Sequence, residues 1–356
     1  MNPTLPLRNA RPQRGLSLIE LMVSITLGML VVAAVLALYL NITRTNNEMA
    51  KANRQIENGR FAIQVLQGDL VHAGFWGPLG YTVAAPMPAP IAIPDPCVVA
   101  GWDDDYKKSL LAIPVQGYAD ASTLGADCKV SNVLASSDVL VVRHANTCTV
   151  GTAGCDGTGP YIQISACRTD TTTPDAAYEI DSDKATLKLR NKSCLASDIA
   201  EVRKVVSNIY YLCNHVPDTG CAPGTSGIPT LMRASLINGA YSVQPMIEGI
   251  EALRFEYGID TLGRNGLAIS ASNPGDGSAD TYVSSDDIGD KSQHANIVAA
   301  RIHVLARNLE KTPGHKDSKS YQLGESKIAA MDDGYKRHVF STTVRLVNPS
   351  ARREAP

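Results

Sequence analysis

From Leu21 to Leu40 the chain carries apolar or small residues and no charge. A run of about 20 such residues suffices to cross a ~30 Å hydrocarbon core as a helix. The pattern then changes without a break. Between Asn41 and Ala73 there is no proline, and the only glycines are Gly59 and Gly68. Ile56, Ile63, Leu66, Leu70 and Ala73 fall at helical spacing, while Lys51, Arg54, Glu57, Arg60, Gln64 and Asp69 fill other faces. The spacing predicts one N-terminal helix over 16–75, roughly 85 Å long at 1.5 Å per residue. Its membrane part covers about 18–40, and its second half is a stalk with a docking face. Residues 76–96 hold Pro78, Pro86, Pro88, Pro90, Pro94 and Pro96, which suits neither helix interior nor central strand. They read as an extended connection.

Beyond it, over 97–349, short segments alternate with period two between turn signals. They include "DVLVVRH" (138–144), "YIQISA" (161–166), "ATLKLR" (185–190) and "VVSNIYYL" (205–212). In 251–259, Leu253, Phe255, Tyr257 and Ile259 share one face and Arg254 and Glu256 the other. Val298, Ala300, Ile302 and Val304 alternate with Arg301 and His303. The class this predicts is α+β: an antiparallel β-sheet head with one face covered by the helical stripe. Residues 350–356 are left as a tail.

Composition narrows the partners. The net charge is −2 with both signs scattered, so no basic footprint for nucleic acid exists. Eight cysteines (Cys97, Cys128, Cys148, Cys155, Cys167, Cys194, Cys213 and Cys221) lie between residues 97 and 221, with no C-x-x-C pair. Behind a membrane segment, an even count at loop-like spacings points to disulfides in an oxidising compartment. The short intervals Cys148–Cys155 and Cys213–Cys221 are the first pairings expected; the others stay open. The leader is polar, with Arg8, Arg11 and Arg14 and no acid, which places it in the cytoplasm and the head across the membrane. The apolar run exceeds the core of about 7–15 residues of a signal peptide and holds no A-x-A cleavage pair.

Glu20 stands at the head of this run, where a carboxylate at mid-membrane costs roughly 2.5–3.5 kcal/mol. The stretch Gly15-Leu16-Ser17-Leu18-Ile19-Glu20-Leu21 after a basic leader resembles the processing site of type IV prepilins. The resemblance implies a type IV pilin-like fold and cleavage by a prepilin peptidase between Gly15 and Leu16, with methylation of the new amino terminus. The family's usual first residue is phenylalanine, so Leu16 departs from it. Glu20 becomes the fifth residue, and its implied partner in an assembled fibre is the amino terminus of a neighbouring subunit. "GDLVHAGFWG", "IEALRFEYGID", "ANIVAARIHVLARN" and "RHVFSTTVRLVN" are similar to the PilW family of minor pilins. That similarity implies a subunit of the inner membrane, with its head in the periplasm, that helps start pilus assembly and stays at or near the tip. The implied partners are other minor pilins, the major pilin and a large tip adhesin. Residues of about 80–245 carry no motif that extends the resemblance.

Other chemistry is sparse. "WDDDYKK" (102–108) and "NPGDGSADTYVSSDDIGD" (273–290) cluster hard oxygen ligands that suit calcium, yet neither has EF-hand spacing, and solvated loops account for them. His294, His303, His315 and His338 form no metal-ligand pair of the H-E-x-x-H kind. No G-x-S-x-G, Walker loop or G-x-G-x-x-G is present, so neither cofactor nor catalytic residue is expected; the chain reads as the substrate of an enzyme. Two alternatives stay open: a pseudopilin of a type II secretion system, which shares leader, acid and helix, and an adhesive tip module.

Overall fold

The computed structural model describes residues 15, 17–80, 87–153, 155, 157–170, 177–224, 227–270 and 272–354. The chain divides into two units, Met1–Ala52 and Asn53–Pro356. The first consists of the start of helix α1 (Leu18–His72). Every described residue up to Asn47 is exposed, and an 18-residue window reaches a mean hydropathy of 2.6. The hydroxyls within this run return to the backbone: Ser24 donates to the Glu20 carbonyl at 2.6 Å, Thr26 to Met22 at 3.1 Å and Thr43 to Tyr39 at 2.9 Å. Such bonds satisfy polar side chains where no water is at hand.

In the second unit α1 buries Gln55, Gly59, Ala62, Leu66 and Leu70. Leu66, Leu70 and Ala73 of the expected stripe are fully buried, and the correction concerns its start. Ile56 is 40% exposed and Ile63 only packs at the core's margin. The helix approaches its sheet through small residues, because a Cβ at Gly59 would fall inside the Phe340 ring. Gln55 is buried because its amide donates to the Ala306 and Lys336 carbonyls at 2.7 and 3.0 Å.

The first sheet contains β1 (Val115–Tyr118), β2 (Val139–Ala145), β3 (Tyr161–Ile164), β4 (Tyr178–Asp181), β5 (Val202–Val216), β6 (Gly220–Ala222), β7 (Ile228–Ile237) and β8 (Ala240–Glu248). Strand β5 is its spine, pairing β3, β2, β6 and β7 along its length. The second sheet has β9 (Ile250–Ile259), β10 (Thr281–Ser284), β11 (Ile297–Arg307) and, after the small hairpin β12 (Tyr321–Leu323) and β13 (Ser326–Ile328), β14 (Arg337–Arg345). Its order is β10-β9-β11-β14, and all pairings in both sheets are antiparallel.

One core joins α1 to both sheets: Leu66 and Leu70 meet Leu140, Val142 and Leu212 of the first, and Leu253, Phe255, Ile302 and Val304 of the second. The first sheet is not covered on one face only. Val139, Val141, Ile209 and Met232 pack on its other side against the Cys97–Cys128 disulfide, and Leu110 and Leu111 of α2 (Asp104–Ala112) join Trp76 and Ile162 in a further core. Strand β2 is therefore buried at every position, His144 and Arg143 included.

"ATLKLR" is not a strand. Its amides bond to side chains instead: Ala185 to Asp183, Leu189 to Gln163 and Arg190 to Asp170. The connection after α1 is irregular where described, with turns at 77 and 79–80 and the amides of Ile91 and Ala92 on Ser109 Oγ; residues 81–86 lie outside the described residues. Short helix α3 (Lys291–Ala295) precedes β11, and residues 350–354 of the expected tail belong to α4 (Val347–Glu354). Arg352 of α4 donates to the Gly74 carbonyl at 2.8 Å, and Arg353 bonds to the buried Asp260 at 3.4 Å.

Candidate functional site

Three places carry the polar residues that the sequence singles out or that the fold brings together. The first is the start of α1. Gly15 is exposed with open space about it, and Leu16 lies outside the described residues. The Ser17 amide donates to Glu20 Oε2 at 3.1 Å. Ser17 precedes the first helical residue and Glu20 sits three further on, so the carboxylate serves one of the amides a helix start leaves unsatisfied. The S-x-x-E spacing is the signal in the sequence that marks Ser17 as the helix cap. Glu20 is exposed and makes no ion pair among the described residues. Large apolar side chains follow on all sides of the helix, from Leu18 and Ile19 to Leu40 and Ile42.

The second place is where the far end of α1 meets the first sheet. Asp69 Oδ1 lies 3.0 Å from His144 Nε2, and Asn208 Nδ2 donates to Asp69 Oδ2 at 2.9 Å. One helical carboxylate thus engages β2 and β5 together. Tyr210 and Arg233 stand beside it, and burial with the neighbouring Asp69 pushes the Tyr210 hydroxyl well above its ordinary pKa. His72 bonds to the Gly68 carbonyl at 2.7 Å and lies 5.7 Å from the His144 ring.

At the other end of the second sheet, Arg337 is fully buried amid carboxylates. Its Nε meets Glu251 at 2.5 Å, and its terminal nitrogens meet Asp317 at 2.9 Å and Asp333 at 2.7 Å. The Arg337 hydrogen bonds hold the Asp333 carboxyl at about 2, below the usual range. Burial raises the Asp317 carboxyl, but hydrogen bonds from Arg337 and Tyr321 outweigh it and leave it lowered. This network ties the segment 308–336 to β9 and β14.

The eight cysteines form four disulfides: Cys97–Cys128, Cys148–Cys155, Cys167–Cys194 and Cys213–Cys221. The two short-interval pairs are those expected from spacing. The acidic loops go largely to local capping. Asp103 caps α2, Asp280 accepts from the amides of Thr261 and Leu262, and Asp290 caps α3. Among the described residues no group of three or more His, Cys, Asp or Glu is arranged to hold a metal ion. The histidines are dispersed: His294 is buried, which lowers its pKa, while His303 lies between Glu256 and Ser341, and His338 sets its ring edge-on to Phe340. His315 anchors a turn through its amide, on the Thr312 carbonyl.

Comparison with known proteins adds three findings. Residues 220–348 match the family described as Type IV Pilus-assembly protein W, and residues 10–36 match the prokaryotic N-terminal methylation motif. No curated protein matches the chain. Among solved structures, a type IV-like pilin from Thermus thermophilus is 13% identical, with 60% of this chain and 79% of that one covered and a TM-score of 0.27.

Proposed function

We propose that this chain is a minor pilin of the PilW type, a low-copy subunit that helps initiate pilus assembly and remains at or near the tip. In this reading a prepilin peptidase cuts between Gly15 and Leu16, with the leader cytoplasmic and the head periplasmic. The processed chain then leaves the inner membrane for the fibre. The observation that carries it is the start of α1: a methylation-motif match over residues 10–36 that coincides with one acid, Glu20, at the head of a charge-free helical run.

The chemistry of that acid supports the reading. At the cytoplasmic rim the Glu20 carboxylate reaches headgroups at modest cost. In a fibre core it needs a cation, and cleavage creates one at each neighbouring amino terminus. A single buried acid with a single good mate fixes register between helices. The head then contributes the contacts that distinguish this subunit, and its partners are other minor pilins, the major pilin and a large tip adhesin. Four disulfides fit a head that lives outside the cytoplasm. Function on this account is assembly and not catalysis.

Mass spectrometry of the native N-terminal peptide, from sheared surface fibres and from membranes, tests the proposal. Methylated Leu16 in fibres is the expected result. A processed chain confined to membranes favours a secretion pseudopilin, and an intact Met1 start in both fractions refutes both readings.

A further inference from the structure

Beside the Asp69 contact, a cleft of about 340 Å³ opens between α1 and the first sheet. Gly68, Asp69 and His72 line it from the helix, and His144, Tyr210 and Arg233 from β2, β5 and β7. Two features mark it out. The first is Arg233. Its Nη2 reaches Gln244 Oε1 at 3.3 Å and it lies beside the Tyr210 hydroxyl, but its Nε is buried without a partner, and it makes no ion pair among the described residues. Asp69, the acid in the cleft, is already engaged by His144 and Asn208. The guanidinium thus has polar neighbours but no carboxylate of its own, and the local carboxylate is held by other residues. A half-buried guanidinium with no carboxylate partner among the described residues suits an incoming carboxylate.

The second is Gly68. Glycine in a helix interior is unfavourable relative to alanine, and is ordinarily explained by a close neighbour. Gly59 has such a neighbour in Phe340, but a Cβ at Gly68 would meet nothing within 4 Å. The space that glycine keeps open is the mouth of the cleft, on the exposed side of α1. Close approach of another chain at this point accounts for the glycine, and a carboxylate carried by that chain accounts for Arg233.

We propose that the Gly68–Arg233 cleft receives a carboxylate side chain from a neighbouring pilus subunit. Arg233 is its direct contact, and His72 and the Tyr210 hydroxyl stand at its sides. The source of the carboxylate rests on the pilus-subunit reading; the chemistry of the cleft does not.

The test uses the full-length chain in detergent micelles, with the Arg233 Nε–H resonance identified by its loss in Arg233→Gln. The probes are a capped Gly-Glu-Gly peptide, its Gly-Gln-Gly counterpart and inorganic phosphate. The glutamate peptide is expected to shift the resonance saturably, with the glutamine peptide about tenfold or more weaker. Gly68→Leu, whose side chain enters open space, is expected to abolish the shift without lowering the unfolding midpoint. In cells, Arg233→Gln and Gly68→Leu are each expected to reduce the subunit in sheared fibres while N-terminal processing stays normal. Equal responses to the two peptides, phosphate binding as strong as glutamate, or normal fibre incorporation of both variants overturns the proposal. If the wild-type chain is itself missing from fibres, it is the pilus reading that fails, and the peptide arm still decides whether the cleft takes a carboxylate.

Discussion

Arg337→Met removes the cation that Glu251, Asp317 and Asp333 share. The Arg337 side chain is 0% exposed, against 10%, 3% and 27% for the three acids, so the replacement leaves two carboxylates with little water. Removing one partner of a buried ion pair costs about 3–5 kcal/mol. Here the penalty is not tripled. Glu251 keeps Arg307 at 3.1 Å, Asp317 keeps the Tyr321 hydroxyl at 2.9 Å, and Asp333 is partly solvated. A loss of about 3–5 kcal/mol at pH 7 is therefore expected for the network as a whole. Set against a typical total of about 5–15 kcal/mol, that is a large fraction of the head's stability.

The assay is urea unfolding of the full chain in micelles, followed by the fluorescence of Trp76 and Trp102. The expected shift in midpoint is about 1–2 M. Acid supplies the control. Asp333 and Asp317 have lowered pKa values in the folded state, so their stabilisation is complete above the unfolded value and is lost as pH falls through the folded one, about 2 for Asp333. Without Arg337 that depression is gone, and protonation relieves the mutual repulsion of the acids. The gap between wild type and variant should narrow as pH drops from 4 towards about 2. A loss below about 1 kcal/mol at pH 7, or a gap that stays constant with acid, refutes the assignment of the network as a stabilising ion cluster.

Other perturbations read other parts of the molecule. Glu20→Ala is expected to leave processing largely intact and to weaken incorporation; equal wild-type and mutant protein in sheared fibres would contradict this. Gly15→Leu is expected to block cleavage, which recovery of a chain starting at Leu16 from that mutant would disprove. Asp69→Ala strips His144 and Asn208 of their shared acceptor and is expected to cost about 2–4 kcal/mol in urea unfolding, with Asp69→Asn milder. Gly59→Leu forces a side chain into the Phe340 ring and should destabilise by about 1–3 kcal/mol or more, with Phe340→Ala restoring part of the loss in a double-mutant cycle.

What the sequence made legible was local, and what it hid was decided by partners far along the chain. The proline-free run from Leu16 to Ala73 read as a helix, and the alternation at Leu253, Phe255 and Tyr257 read as a strand, because both are periodicities within a few residues. The Cys148–Cys155 and Cys213–Cys221 pairs were legible because each closes a small loop. The buried face of α1 was legible at Leu66, Leu70 and Ala73 but not at its start, since hydrophobicity pointed to Ile56 while the shape of Phe340 called for Gly59. Gln55 reads as polar surface until the Ala306 carbonyl, 251 residues away, is brought to its amide. Strand β2 reads as half-buried until Cys97–Cys128 pins a second layer over it. Arg337 follows the same rule: in sequence it is one more charge before a strand, and only the fold gathers Glu251, Asp317 and Asp333 around it. Pattern reports which face a residue prefers in isolation, and burial is settled by whether a distant group can satisfy it. The residues that escaped the sequence are for that reason polar or small, and they lie where α1 and the segment 308–336 close onto the sheets.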